Sequence, residues 1–156
     1  MLPGAQHLQN IHPLVIHFPI AFLMGAALFY FAAWIMKKDD FAKTGFWTLL
    51  LGTLSLAVSI GTGLYAEQGV MVHLSVRERI LQPHKNYMIA TAILCSILTL
   101  WALVQRPFPK KGRILFLILF LLMIGTMTLG ADFGGRLVYD YNAGGNACPQ
   151  PIKFTK

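Results

Sequence analysis

Four long apolar runs that lack Asp, Glu, Lys and Arg constrain this chain more than any other feature of its sequence. A hydrocarbon core of about 30 Å needs about 20 helical residues at 1.5 Å per residue. Because the backbone must satisfy its own hydrogen bonds in lipid, such runs form helices. The sequence predicts an all-α, integral membrane four-helix up-down bundle in a single domain, 1–156, with spans at about 14–36, 44–66, 86–104 and 114–131.

The composition also fits a bilayer better than water. Hydrophobic residues make up 56 % of the chain and charged residues only 12 %, against about 25 % charged in soluble domains. The net charge of +7 comes from 13 Lys and Arg against 6 Asp and Glu, and these charges are divided among loops instead of forming one basic face. Lipid is therefore the expected partner, and nucleic-acid binding is not expected.

The distribution of basic residues predicts the orientation of the spans. The first and third loops carry seven Lys and Arg in two short connections, whereas the opposite side carries six over a longer loop and a tail. Short basic loops stay in the cytoplasm, so the first and third loops are predicted to be cytoplasmic. An even number of spans then places both termini on the non-cytoplasmic side.

Two segments outside the predicted spans have patterns of their own. In the loop after the second span, apolar residues alternate with charges, and Ser75 followed by Glu78 fits a capping box. This pattern predicts a short interfacial helix that ends at Pro83. The segment 132–156 is rich in Gly, Asn and Pro and is predicted to be an irregular extramembrane tail.

Histidines are the chemically notable residues, and His17 and His84 stand out by depth. Both fall near the non-cytoplasmic start of a predicted span, so their imidazoles are expected at a similar height. A polar group in hydrocarbon needs a partner. In an up-down bundle, spans 1 and 3 are diagonal, and side chains facing each other across such a core build haem and metal sites. The sequence therefore predicts that His17 and His84 share one site.

His12 is the next candidate ligand, but its spacing separates it from His17. Five residues turn a regular helix by about 140° from one face to the other, so the two rings are not expected to chelate one ion unless the helix is distorted. Pro19 is expected to kink span 1 and to set the direction of His17. On span 2, small residues spaced by three or four leave room for either a neighbouring helix or a flat macrocycle: Gly52, Ser55, Ser59 and Gly63.

The stretch 11–21, with His-Pro-Leu-Val-Ile-His-Phe-Pro from His12 to Pro19, resembles the opening motif of the DUF2231 family of four-span bacterial membrane proteins. Residues 61–63, His84 and residues 135–139 are similar to later parts of the same pattern. The resemblance covers nearly the whole chain and implies that His12, His17 and His84 are the family's histidines. It also implies a bacterial membrane protein in a redox setting, since some members resemble the membrane part of fusions with Rieske or cytochrome-type domains. Together with the orientation predicted from the basic loops, this gives an expected location in the bacterial inner membrane with periplasmic termini.

One stretch departs from that family pattern. Where the family usually ends in Gly-x-Gly-Val, residues 142–148 read Asn-Ala-Gly-Gly-Asn-Ala-Cys. Cys148 therefore has no role that the resemblance assigns.

Three functions are open at this point. The first is a b-type haem electron-transfer protein, with His17 and His84 as axial ligands and Arg77, Arg79 or Arg136 at the propionates, acting with quinol or a periplasmic redox protein. The second is a non-haem copper or iron site that uses His12, His17 and His84. The third is a non-catalytic subunit of a larger complex or homo-oligomer, in which the histidines only tie the helix ends together.

Overall fold

The computed structural model describes residues 11–69, 72–141 and 143. Almost all of them are helical, and this part of the chain contains no strand. Four helical spans are long and apolar enough to cross a membrane, which confirms the predicted fold class: span 1 (His12–Met36), span 2 (Asp39–Glu67), span 3 (Leu74–Val104) and span 4 (Arg113–Tyr139).

The four spans form two antiparallel hairpins that pack side by side. Spans 1 and 2 make the first hairpin and spans 3 and 4 the second, while span 1 also packs on span 4 and span 2 on span 3. Within the described residues, the diagonal pairs 1–3 and 2–4 do not pack on each other. Spans 1 and 3 begin at one end, here called the histidine end. The short loops 37–38 and 105–112 lie at the other, here called the basic end.

An aromatic cluster fixes the two hairpins together near the basic end. Tyr30 of span 1 is fully buried, and its ring packs against Phe108, Phe116 and Phe120 at centroid distances of 5.1, 5.0 and 5.7 Å. Its hydroxyl donates to the Pro107 carbonyl at 3.1 Å. Because the partner rings belong to the second hairpin, this cluster sets the distance between the hairpins.

Span 1 is interrupted close to Pro19. It consists of a short helix, His12–Val15, and a long helix, His17–Met36, with a break at Ile16. A proline ring crowds the carbonyl four residues earlier and donates no hydrogen bond to it, and here that carbonyl belongs to Val15. The disturbance expected from Pro19 therefore lies one turn before it, between the two histidines of span 1.

The segment before span 3 differs from the prediction. Leu74–Val76 is α-helical and Arg77–Leu81 is a π-helical turn, and both continue directly into the helix Gln82–Val104. The predicted separate interfacial helix ending at Pro83 is therefore wrong. Pro83 has no N–H to offer the preceding turn, and the wider π turn just before it allows the helix to continue.

The start of that helix is capped by a residue that the capping-box pattern did not indicate. His73 is the N-cap, and its Nδ1 accepts from the Ser75 backbone N–H at 3.4 Å and lies 2.9 Å from Ser75 Oγ. Ser75 therefore lies inside the first turn instead of capping it.

Span 4 extends eight residues beyond its predicted end at residue 131, to Tyr139. The predicted tail therefore begins too early. Leu137 is buried in a small cluster with Ile80 and Leu81 of span 3, and this apolar contact stabilises the additional turns. Cys148 lies outside the described residues.

Candidate functional site

His12 lies at the start of span 1 and contacts the last turns of span 2. Its Nδ1 is 3.1 Å from Thr62 Oγ1, and Thr62 Oγ1 donates to the Ser59 carbonyl at 3.0 Å. When the Thr62 hydroxyl donates its single proton to Ser59, its oxygen accepts from His12 Nδ1–H. In the neutral ring the lone pair is then on Nε2, the nitrogen that binds metals in this tautomer.

His84, in the first turns of the helix Gln82–Val104, contacts span 4 in a similar way. Its Nδ1 lies 2.7 Å from the Gly130 carbonyl oxygen. A carbonyl can only accept, so His84 Nδ1–H is the donor and the lone pair of the neutral ring is again on Nε2. A histidine that ligates a metal commonly donates its other ring N–H to a backbone carbonyl, which fixes both tautomer and orientation.

A glycine makes room for each ring. A Cβ added at Gly63 would lie 2.9 Å from His12 Cε1, and one added at Gly134 would lie 2.9 Å from His84 Cε1. Both distances are shorter than side-chain packing allows, so any larger residue would displace the imidazole. In each hairpin, the histidine ring of the first helix therefore packs directly against the backbone of the second helix.

His12 and His84 both lie at the histidine end of the bundle, on spans 1 and 3. They are near enough for the charge of one ring to act on the other, and the Ser59 carbonyl also acts on the His12 ring. Within the described residues, spans 1 and 3 do not pack on each other. A shared site for histidines of these two spans therefore stays a prediction.

A buried hydroxyl lies beside this pair. The Ser59 side chain is 5 % exposed, and within the described part of the chain its Oγ has no hydrogen-bond partner. An unsatisfied buried polar atom costs about 1–3 kcal/mol. A ligand or water that offers a hydrogen bond at the histidine layer would remove this cost.

His17 has different surroundings from those predicted. Its side chain is exposed, and its Nδ1 lies 3.3 Å from the Leu14 carbonyl, one turn earlier in the same span. The five-residue spacing and the break at Ile16 put it on another face from His12. No contact among the described residues joins His17 to His84.

Two of the three predicted propionate partners have carboxylate partners within the chain. Arg77 is 3.2 Å from Glu67 Oε1, and Arg136 is 3.6 Å from Asp140 Oδ2. Arg79 is exposed on the π turn. Glu67 Oε1 also accepts from Lys85 at 2.8 Å, so one carboxylate holds the end of span 2 to the residue that follows His84.

Clusters of three or more metal-ligating side chains are absent from the described residues. Nowhere in 11–69, 72–141 and 143 do three or more His, Cys, Asp or Glu side chains lie in positions to hold an ion. The predicted set of His12, His17 and His84 is therefore not assembled there. His7 lies outside the described residues, and His73 serves as a helix cap.

Sequence reasoning missed the second layer of this site. Thr62, Gly130 and Gly134 orient the two imidazoles. Of these three residues, only Thr62 lies in a stretch that resembles the family pattern, residues 61–63. The signal available was the spacing of Gly130 and Gly134, four residues apart and thus on one face of span 4. Nothing in the sequence says that this face meets His84.

The comparison with known families agrees with the four-span architecture. The family described as predicted membrane protein, DUF2231, matches residues 8–147, most of the chain. The chain belongs to the DUF2231 family. No curated protein and no solved structure shows a significant similarity to this DUF2231 protein. The match covers both described histidines of the site and both glycines that contact them.

Proposed function

We propose that this DUF2231 protein is a membrane-embedded electron-transfer protein that binds one b-type haem through His12 and His84. The observation that carries the proposal is that each hairpin places one imidazole at the histidine end, His12 against Gly63 and His84 against Gly134. Each has its Nδ1–H directed to a fixed acceptor, Thr62 or Gly130. Sites for haem in helical bundles are built in this way from facing helices.

The donor set fits haem better than a non-haem centre. A porphyrin supplies four nitrogen ligands, so two protein imidazoles complete the coordination. A non-haem iron site of the usual kind needs a third protein ligand, and the described residues contain no such cluster. Two imidazoles can also bind copper(I), so the experiment must distinguish copper(I) from haem.

The residues around the pair would have distinct tasks. Haem supplies one-electron chemistry when bound. Thr62 and the Gly130 carbonyl orient the two rings, and the Ser59 hydroxyl can meet a polar group of the ligand. For the propionates, Arg79 is exposed, whereas Arg77 and Arg136 must exchange their carboxylate partners first. Quinol or a periplasmic redox protein is the proposed electron partner, and the positive-inside rule favours a periplasmic histidine end in the bacterial inner membrane.

The test is the absorbance spectrum of the protein purified from haem-sufficient cells. We expect a Soret band and a reduced α-band in the wild type, and loss of both in His12→Ala and His84→Ala. His17→Ala is the matched control because its ring is exposed, and it should keep the spectrum. A colourless protein that contains copper would favour the copper site over haem. A colourless, metal-free, stable protein would instead favour the structural role.

A further inference from the structure

A shallow cavity, open to its surroundings, lies at the basic end of the bundle, far from the histidine layer. Its volume is about 350 Å³, and five residues line it: Leu103, Val104, Gln105, Arg106 and Lys110. Leu103 and Val104 end span 3, and Gln105 and the two cations belong to the loop that leads to span 4. The cavity therefore combines an apolar wall with two positive charges at the depth where a helix leaves the membrane.

The guanidinium of Arg106 is held in place. Its Nε donates to the Leu103 carbonyl at 3.2 Å, and its Cζ lies 5.6 Å from the centre of the Phe46 ring. These contacts engage Nε and one face of the group and leave the terminal N–H groups to other acceptors. Among the described residues, neither Arg106 nor Lys110 has a carboxylate within ion-pair distance.

An exposed apolar stripe leads from this cavity along span 3. Ile93, Ile97, Leu100 and Val104 are 56, 45, 63 and 82 % exposed. Their spacing of four, three and four residues puts them on one helix face. Since Val104 also lines the cavity, the stripe and the two cations form one continuous surface with a charged head and an apolar track.

We propose that this surface binds an anionic phospholipid. Its phosphate lies between Arg106 and Lys110, and one acyl chain follows the stripe from Val104 toward Ile93. Basic pockets next to membrane helices hold anionic head groups because charge attraction adds to burial of the chain. The proposal is independent of the haem site, since it uses no residue of the histidine end.

The experiment measures lipid affinity of the detergent-purified full-length protein by native mass spectrometry, with phosphatidylglycerol and phosphatidylcholine as probes. We expect the wild type to prefer phosphatidylglycerol, and Arg106→Gln/Lys110→Gln to bind it about 10- to 30-fold more weakly, since each cation near an anionic surface contributes about fivefold. The matched control is Lys37→Gln/Lys38→Gln, which removes two exposed charges from the other loop of the basic end. It should change the affinity less than about twofold.

Three outcomes would overturn the proposal. Equal losses in both double variants would mean diffuse attraction to a basic surface, and unchanged affinity in both would mean that no cation takes part. Full displacement of phosphatidylglycerol by inorganic phosphate would assign the site to a free anion instead of a lipid. Circular dichroism of each variant must match the wild type, and the single variants Arg106→Gln and Lys110→Gln, each expected to lose about fivefold, serve if the double variant does not fold.

Discussion

The two imidazoles contact the helix backbone directly at Gly63 and Gly134. Adding a single methyl group at one of these glycines therefore tests the contact. In Gly134→Ala the new Cβ would lie 2.9 Å from His84 Cε1. His84 is held by its hydrogen bond to Gly130, so we expect displacement of the ring and destabilisation of about 1–3 kcal/mol, as for other overpacked sites. Thermal unfolding in detergent measures the stability, and loss of the absorbance bands expected under the proposed haem binding would report that His84 no longer acts as a ligand.

The control for this variant is Gly125→Ala in the same helix. Within the described part of the chain, nothing lies within 4 Å of a Cβ added there. Alanine is a better helix former than glycine by about 1 kcal/mol, so this variant should be neutral or slightly more stable. Equal destabilisation of both variants would show that an added methyl group weakens span 4 at either position. The loss in Gly134→Ala would then not be due to the contact with His84.

At the level of the helices, Glu67 ties span 2 to the start of span 3. Its side chain is 19 % exposed and one oxygen accepts from both Arg77 and Lys85. In Glu67→Gln the two cations lose their shared partner, and we expect a loss of about 1–2 kcal/mol, reduced by the solvent access of Arg77. Hydrogen exchange of residues 72–85 should increase in the same variant.

Asp140→Asn is the matched change in an exposed pair. The Arg136–Asp140 contact is 3.6 Å, with side chains 47 and 55 % exposed. Such pairs contribute about 0–1 kcal/mol, so this variant should unfold close to the wild type. A larger effect for Asp140→Asn than for Glu67→Gln would contradict the role given to Glu67.

Spans 2 and 3 are joined deeper in the membrane by a hydroxyl pair. Thr53 Oγ1 lies 2.7 Å from Thr99 Oγ1, and Thr99 is 8 % exposed. Hydrogen bonds between membrane helices average about 0.6 kcal/mol and reach about 1.7. A double-mutant cycle of Thr53→Val and Thr99→Val should give a coupling energy in this range.

Thr48 provides the reference for that cycle. Its hydroxyl donates at 2.7 Å to the Thr44 carbonyl of its own helix. A cycle of Thr48→Val with Thr99→Val should therefore show no coupling beyond error. A coupling energy near zero for Thr53 with Thr99 as well would mean that the interhelical hydrogen bond contributes nothing to stability.

For the whole molecule, the proposed orientation can be tested with the chain's own cysteines. Cys95 is 1 % exposed in the core, whereas Cys148 follows span 4 in sequence. If the histidine end is periplasmic, a membrane-impermeant maleimide should label Cys148 from outside the inner membrane in spheroplasts. Cys148→Ser should abolish labelling, and labelling of the wild type only in inverted vesicles would reverse the orientation.

The sequence predicts much of the fold because apolar runs report burial in lipid directly. It fails at the ends of the spans, where charges such as Arg77, Arg79 and Lys85 lie inside a continuous helix. Hydropathy places these residues in a loop, but Glu67 pairs with Arg77 and Lys85 through tertiary contacts that no local pattern contains.

The site is predicted only in part for a similar reason. Helical spacing shows that His12 and His17 point in different directions. Where each ring lies depends on the break at Ile16 and on the packing of His12 against Thr62 and Gly63. The placement of the two histidines is therefore a property of the assembled bundle.

Each hairpin contains the same contact: a histidine next to a proline lies in its first helix, and the histidine ring packs on a glycine near the end of its second helix. A ligand held by both His12 and His84 would therefore lie between the two hairpins and would meet the same groups on each side, an imidazole and a glycine backbone.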